Sequence, residues 1–352
     1  METLQAIRRY LAAVPKAELH VHLEGSIRPR TLLMLARRNN VPLPATNLAE
    51  LSQWFVYRDF PHFVDIYFEI IKCLKTAEDY ELIAYEFGEE MKRQGVRYAE
   101  VTFSASTHHA LGIAHDVYFG GLNRGRERAR RDFGVEMRWV FDIVRDIADE
   151  AERYRRADFT TRVAIEGMND GVIALGLGGN EAGYPPEQFA RFFEQALAAG
   201  LHSTPHAGEV AGPASVWGAL RTLGAERIGH GVRSIEDPAL VSHLSEQQIP
   251  LEVCPGSNIC LGIYPNFAAH PLLRLYRAGV PLSINSDDPP LFNITLNDDI
   301  ERLHSTFHLE LAEIDELILN GVRHSFLSQE RKQGMELEFR VEMARLRREC
   351  NL

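Results

Sequence analysis

The chain has 352 residues, and its 38 Lys and Arg against 49 Asp and Glu give a net charge of −11. Hydrophobic residues are 45% and charged residues 25%, the usage of an ordinary folded domain, which excludes a disordered, collagenous or disulfide-stapled chain. The acidic balance leaves no excess cation to neutralise phosphates and argues against a nucleic-acid partner. Cys73, Cys254, Cys260 and Cys350 form no C-x-x-C pair, as expected of reduced thiols in a cytoplasmic protein. Arg8, Arg9 and Lys16 interrupt the N-terminal stretch, and no run approaches the roughly 18 apolar residues of a membrane span. Neither a signal peptide nor a membrane anchor is expected. The oligomeric state is open.

In chain order, short β-branched runs alternate with helix-period stretches. The strand candidates are 18–21, 96–103, 137–144, 172–177, 202–206, 227–230, 250–253 and 282–285. Several follow a helix ending in glycine or a turn: RQG before Val96, AAG before Leu201, RAG before Val280. Glycine there takes the left-handed conformation that stops a helix. Strands alternating with helices imply crossover units and a parallel sheet. Eight of them suggest an α/β fold closed as a (β/α)8 TIM barrel, although an open doubly wound sheet fits the pattern almost as well. The stretch 28–91 is too long for one crossover and reads as several helices, a helical lid insertion after strand 1. The tail after Leu296 is helical, with Lys and Arg crowding its last turns. No linker divides the chain, so residues 1–352 are expected to form one domain.

The unusual polar residues follow the strands. His20 and His22 end the first, His206 the fifth, His230 the sixth, and Asp287 and Asp288 follow the eighth. Carboxyl ends of parallel barrel strands converge on one face, where such folds keep their sites. His20 and His22 are alternate residues and point the same way. With His206 and Asp287 they make three nitrogens and a carboxylate, a donor set that suits Zn²⁺. Fe²⁺ or Co²⁺ could use the same donors. Glu209, three residues after His206, reads either as a proton donor beside that metal or as an acid favoured by a helix N-terminus. Pro205 between His202 and His206 rules out a zincin-type helix. Adjacent Asp287 and Asp288 diverge, so one can bind metal and the other substrate. The glycine-rich stretch 176–181 fails G-x-G-x-x-G because Glu181 takes the third glycine position. It reads as a ligand-approaching loop or as a plain turn.

Together AELHVHLEGS, HAGE, IGHG, CPGSN and SINSDDPP resemble the adenosine deaminase family of metal-dependent purine deaminases, in order and spacing, over about residues 12 to 330. The resemblance implies a (β/α)8 barrel with one Zn²⁺ per chain held by His20, His22, His206 and Asp287. It makes Glu209 the donor of a proton to purine N1 and His230 the residue that orients the attacking water and helps deprotonate it. Asp288 faces purine N7, Gly179 lies near N3, and Glu24 stands where classical members carry an Asp that contacts the ribose. Phe60, Phe63 and Val64 align with an apolar lid over the purine. The implied reaction is hydrolytic deamination of a small-molecule 6-aminopurine nucleoside, adenosine or deoxyadenosine first, with adenine or aminodeoxyfutalosine as the alternative. Glu24 is one methylene longer than the classical Asp, and Gly176 and Asn180 replace acidic residues, all where the sugar or purine edge would rest. Another amidohydrolase reaction and a non-catalytic purine binder are the competing classes.

Overall fold

A computed structural model describes residues 2–352. Eight strands run β1 (Lys16–His22), β2 (Val96–Phe103), β3 (Glu136–Val144), β4 (Val172–Gly178), β5 (His202–Ala207), β6 (Ile228–His230), β7 (Leu251–Val253) and β8 (Leu282–Ile284). They pair in sequence order, every pair parallel. Helices alternate with them, so the closed (β/α)8 reading holds and the open sheet does not.

Closure between β8 and β1 is made just past the end of β8. The His22 N–H donates to the Asp287 carbonyl at 2.9 Å and the Asp287 N–H to the His20 carbonyl at 3.2 Å, giving a parallel bridge between Val21 and Asp287. Where backbone pairing fails, the Asn285 side-chain oxygen accepts the N–H groups of Leu19 at 2.8 Å and His20 at 3.2 Å. Glu18 takes the Ser286 N–H at 2.9 Å and its hydroxyl at 2.5 Å. All of these residues but the half-buried His22 are buried, and protein acceptors take every N–H named here, while Glu18 Oε2 is left without a partner.

The helical stretch after β1 resolves into Pro29–Arg38, Leu48–Trp54, Phe60–Ile71 and Ala77–Arg93. The last is the barrel's own crossover helix. It packs on β2 and against His115–Phe133, and a Cβ at Gly121 or Gly125 would strike the carbonyls of Ala77 or Glu81. The lid proper is therefore shorter than 28–91, and its helix Phe60–Ile71 leans over the carboxyl ends of the strands. The tail forms Leu296–Phe307, Leu311–Arg323 and Gln329–Cys350. Its last helix packs against Leu311–Arg323 and the N-terminal helix Glu2–Ala13. Among the described residues no helix is long and apolar enough to cross a membrane.

Replacing Asn285 by Leu strands two buried donors, each worth about 1–3 kcal/mol. We expect urea unfolding to report a loss of about 2–6 kcal/mol; an unchanged midpoint would remove Asn285 from the seam.

Candidate active site

Each candidate side chain sits where a strand stops. His20 and His22 lie on one face of β1, His206 near the end of β5, His230 at the end of β6 and Asp287 just past β8. His22 Nε2 is 3.2 Å from His206 Nε2 and 3.4 Å from Asp287 Oδ1, and His20 Nε2 is 3.7 Å from that same oxygen. One ligand atom from each of His20, His22, His206 and Asp287 falls within 4.8 Å of the others.

The residues around the cluster aim it. His20 Nδ1 is 2.8 Å from Glu252 Oε2, which fixes the ring and turns Nε2 inward, where it is buried without a partner. Arg227 holds Glu252 at 2.6 Å and Glu100 at 2.5 Å, an ion network on the barrel axis. Ser257 Oγ donates to Asp287 Oδ2 at 2.6 Å, leaving Oδ1 to face the imidazoles. Burial, then the neighbouring His20 and His22, drives the His206 pKa well below the usual range, and burial lowers that of His22. Both rings therefore keep a free lone pair at neutral pH. An unpartnered inward nitrogen, two facing imidazole nitrogens and a carboxylate oxygen fit a divalent cation of borderline softness. A second grouping of His20, His230, Cys254 and Asp287 shares half its members with the first. Burial raises its Cys254 thiol pKa well above normal, away from the thiolate that would bind metal.

Asp287 and His230 adopt φ of +65° and +59°, a conformation costly for residues other than glycine and concentrated at functional positions. Gly229 lets His20 in: a Cβ there would lie 2.8 Å from His20 Cε1 and 3.2 Å from the His206 Cα.

One cavity is lined by His22, His206, Glu209, His230, Asp287, Asp288 and Gly179 at its base, and by Ser104, Thr107, Asp142 and Asp146 along one wall. Phe60, Phe63, Val64, Tyr67, Phe68 and Ile71 of the lid form the other. Glu209 Oε2 lies 3.6 Å from His230 Nε2, which is 3.8 Å from Asp287 Oδ2. Burial, then the charges of Asp287 and Glu181, raises the Glu209 pKa well above the carboxylate range. Burial and the Asp287 charge do the same to Asp288. Glu24 is not on the cavity surface. Its Oε1 accepts the Ser104 N–H and faces His108 Nε2, each at 3.0 Å, and Tyr67 OH donates to Oε2 at 3.4 Å. It reaches the cavity only through Tyr67 and Ser104, which line it.

Several residues that hold this arrangement escape the sequence reading. Glu181, read only as the residue that breaks a glycine pattern, is buried. It accepts the N–H groups of Gly208, Glu209 and Val210 at 2.8–2.9 Å and the Ser215 hydroxyl at 2.6 Å, which fixes the turn carrying Glu209. Arg145 donates to the carbonyls of Leu177 at 2.8 Å and His206 at 2.5 Å. Asp142 of β3 occupies space that side chains at Gly176 and Gly178 would fill, so the cavity keeps an acid from a neighbouring strand. The available signal was a charged residue inside an apolar strand, as with Glu100, Asp142 and Glu252. The partners of such residues are not visible in sequence.

Similarity to known proteins agrees with this geometry. The adenosine deaminase family profile matches residues 15–340, and the chain belongs to that family. It is 42% identical to an aminodeoxyfutalosine deaminase of Streptomyces coelicolor over 91% of this chain and 82% of that one. It superposes on an adenine deaminase of Arthrobacter aurescens with a TM-score of 0.88 at 32% identity, covering 95% of this chain and 100% of that one. A zinc-bound amidohydrolase of Burkholderia ambifaria gives a TM-score of 0.87 at 27% identity, covering 98% of this chain and 95% of that one. The family makes this chain a hydrolase of the purine-deaminase type.

Two outcomes follow from the packing. Gly229→Ala pushes on a ring that Glu252 cannot release, so chelator competition should show Zn²⁺ affinity falling about 10–100-fold; unchanged affinity would mean His20 is free to move. Asp299, buried, accepts the Gly256 N–H at 3.3 Å and so anchors the short helix Pro255–Cys260 that bears Ser257. Burial raises its pKa from 3.8 to about 8. The folded chain thus keeps a proton that the unfolded chain releases, and stability falls as pH rises from about 4 to 8. Asp299→Asn removes this slope, so the variant should gain on the parent between pH 6 and pH 9 in urea unfolding. A difference independent of pH would contradict it.

Proposed function

We propose that this chain hydrolyses the 6-amino group of a purine to release ammonia, and that its substrate is aminodeoxyfutalosine, with free adenine the second reading. The adenosine-first expectation gives way because the most similar relatives named above act on other purines. Identity to the aminodeoxyfutalosine deaminase is 42%, against 38% for an adenine deaminase of Bordetella avium. The polar wall of Ser104, Thr107, Asp142 and Asp146 also favours a substrate with polar groups beyond the base, since Ser104 and Asp142 bond each other at 2.7 Å but adenine alone would leave Thr107 and Asp146 without partners.

The observation that carries the reaction is that Glu209, His230 and Asp288 line the same cavity as the His20, His22, His206 and Asp287 cluster. Those four residues would hold one Zn²⁺, which, when bound, lowers the pKa of a water toward about 7 and so makes a nucleophile available at neutral pH. Glu209 stays protonated in its desolvated pocket and delivers that proton to purine N1, which makes C6 attackable. Asp288, also protonated by burial and by repulsion from Asp287, donates to N7, an acceptor. Gly179, with φ of +84°, brings its backbone close to the N3 edge without a side chain in the way. Phe60, Phe63 and Val64 cover the ring face and exclude bulk water. His230 orients the attacking water from beside Glu209. Glu24 holds Tyr67 and Ser104 at the sugar side.

Steady-state ammonia release on metal-quantified protein, with aminodeoxyfutalosine, adenine, adenosine and deoxyadenosine, tests both levels. We expect kcat/KM on aminodeoxyfutalosine to exceed adenosine by at least about tenfold. A preference for adenine would shift the substrate, and no ammonia from any of the four would remove the reaction. Glu209→Gln should lower kcat by about 10²–10⁴ with zinc content retained.

A further inference from the structure

A chain of hydrogen bonds runs into the site from the loop after β7, and its direction is forced at the outer end. The Leu272 backbone N–H, which can only donate, lies 3.2 Å from His270 Nδ1. That nitrogen must therefore be the unprotonated one. Burial lowers the His270 pKa to about 3, so the ring is neutral and its single proton sits on Nε2. His270 Nε2 is 3.1 Å from Asn258 Oδ1, and a donor there requires the Asn258 oxygen to be the acceptor. The amide nitrogen of Asn258 is thereby turned toward the site, 3.3 Å from Glu209 Oε1 and 3.3 Å from His230 Nδ1. An amide nitrogen only donates, so His230 Nδ1 must accept, and the remaining proton of a neutral His230 falls on Nε2.

We propose that Asn258 and His270 are positioning residues that fix the tautomer of His230, so that it presents an N–H donor, and not a base, to the cavity between Glu209 and Asp287. The same amide marks Glu209 Oε1 as an acceptor and leaves Oε2, the oxygen nearer His230, to carry the proton that Glu209 delivers. His230 then steers the attacking water by donating to it. All four side chains are buried: Asn258 0% exposed, His230 1%, His270 3% and Glu209 5%. Asn258 and His270 lie behind the cavity lining, so their link is shielded from water that could reverse it. The catalytic consequence rests on the deaminase reading above, whereas the tautomer does not.

The test is long-range ¹H–¹⁵N NMR of the zinc-loaded full chain with ¹⁵N-labelled histidine, His230 being assigned by its absence in His230→Gln. In the parent, His230 Nδ1 should show the shift of an unprotonated ring nitrogen and Nε2 that of a protonated one. Asn258→Asp replaces the donor with an acceptor, so the proton should move to Nδ1 and kcat should fall about tenfold or more with KM little changed. His270→Leu should leave the Asn258 amide free to turn and give mixed tautomers, and His270→Gln, which keeps an N–H for Asn258 Oδ1, should restore most of the loss. A proton on Nδ1 in the parent, or an unmoved tautomer in Asn258→Asp with zinc content and circular dichroism intact, overturns the proposal. Parent-like kcat in His270→Leu overturns the catalytic role. If the parent releases no ammonia from any purine while the tautomer is as stated, the reaction fails and the relay stands.

Discussion

The structure depends on how the barrel is sewn shut between its first and last strands. β8 is only three residues long, too short to pair along β1. Closure is passed to the Asn285 side chain and to the backbone of Asp287, which exchanges hydrogen bonds with His20 and His22. The same contact that removes the sheet's free edge also sets a carboxylate beside two imidazoles. Asp287 takes a left-handed backbone at this point, and the cost of that conformation is offset by the hydrogen bonds its backbone exchanges with His20 and His22. Fold closure and site assembly are one event here.

The rest of the site is aimed from beneath by buried charge. Arg227 neutralises Glu100 and Glu252, and Glu252 turns His20 inward. Isolated, any of these ions would be expensive in the barrel interior, and the network keeps each one paired and hydrogen-bonded. On the other side, Glu181 gathers three backbone donors under Glu209. Arg145 ties β4 to β5, so His206 is held through its own carbonyl. These contacts leave the reactive side chains little freedom, which is what a chemistry of fixed proton donors requires.

The elements were legible because their signals are local. Glycine stops such as Gly200 and Gly279, with φ of +100° and +81°, and β-branched runs locate helices and strands without tertiary knowledge. Histidines and aspartates at successive strand ends announce a site because the barrel's geometry converges them. The supporting residues were not legible for the opposite reason. Glu252 and His20 are 232 positions apart, and Asn285 and Leu19 are 266 apart; nothing in either neighbourhood names the other. Ser257 and Asn258 lay inside a motif that the resemblance flagged, yet their direction of bonding needs the Leu272 amide and the His270 ring. Glu24 shows the converse case: the motif placed it at the substrate, and the fold gives its carboxylate three protein partners first.

On this account three imidazoles and one carboxylate, drawn from three strand ends, bind a single cation. Diffraction from zinc-grown crystals at energies just above and below the zinc absorption edge tests it most directly. The expected result is one strong anomalous peak per chain in contact with His20, His22, His206 and Asp287. A peak held by other residues, or none in that cluster when the protein contains stoichiometric zinc, would contradict it.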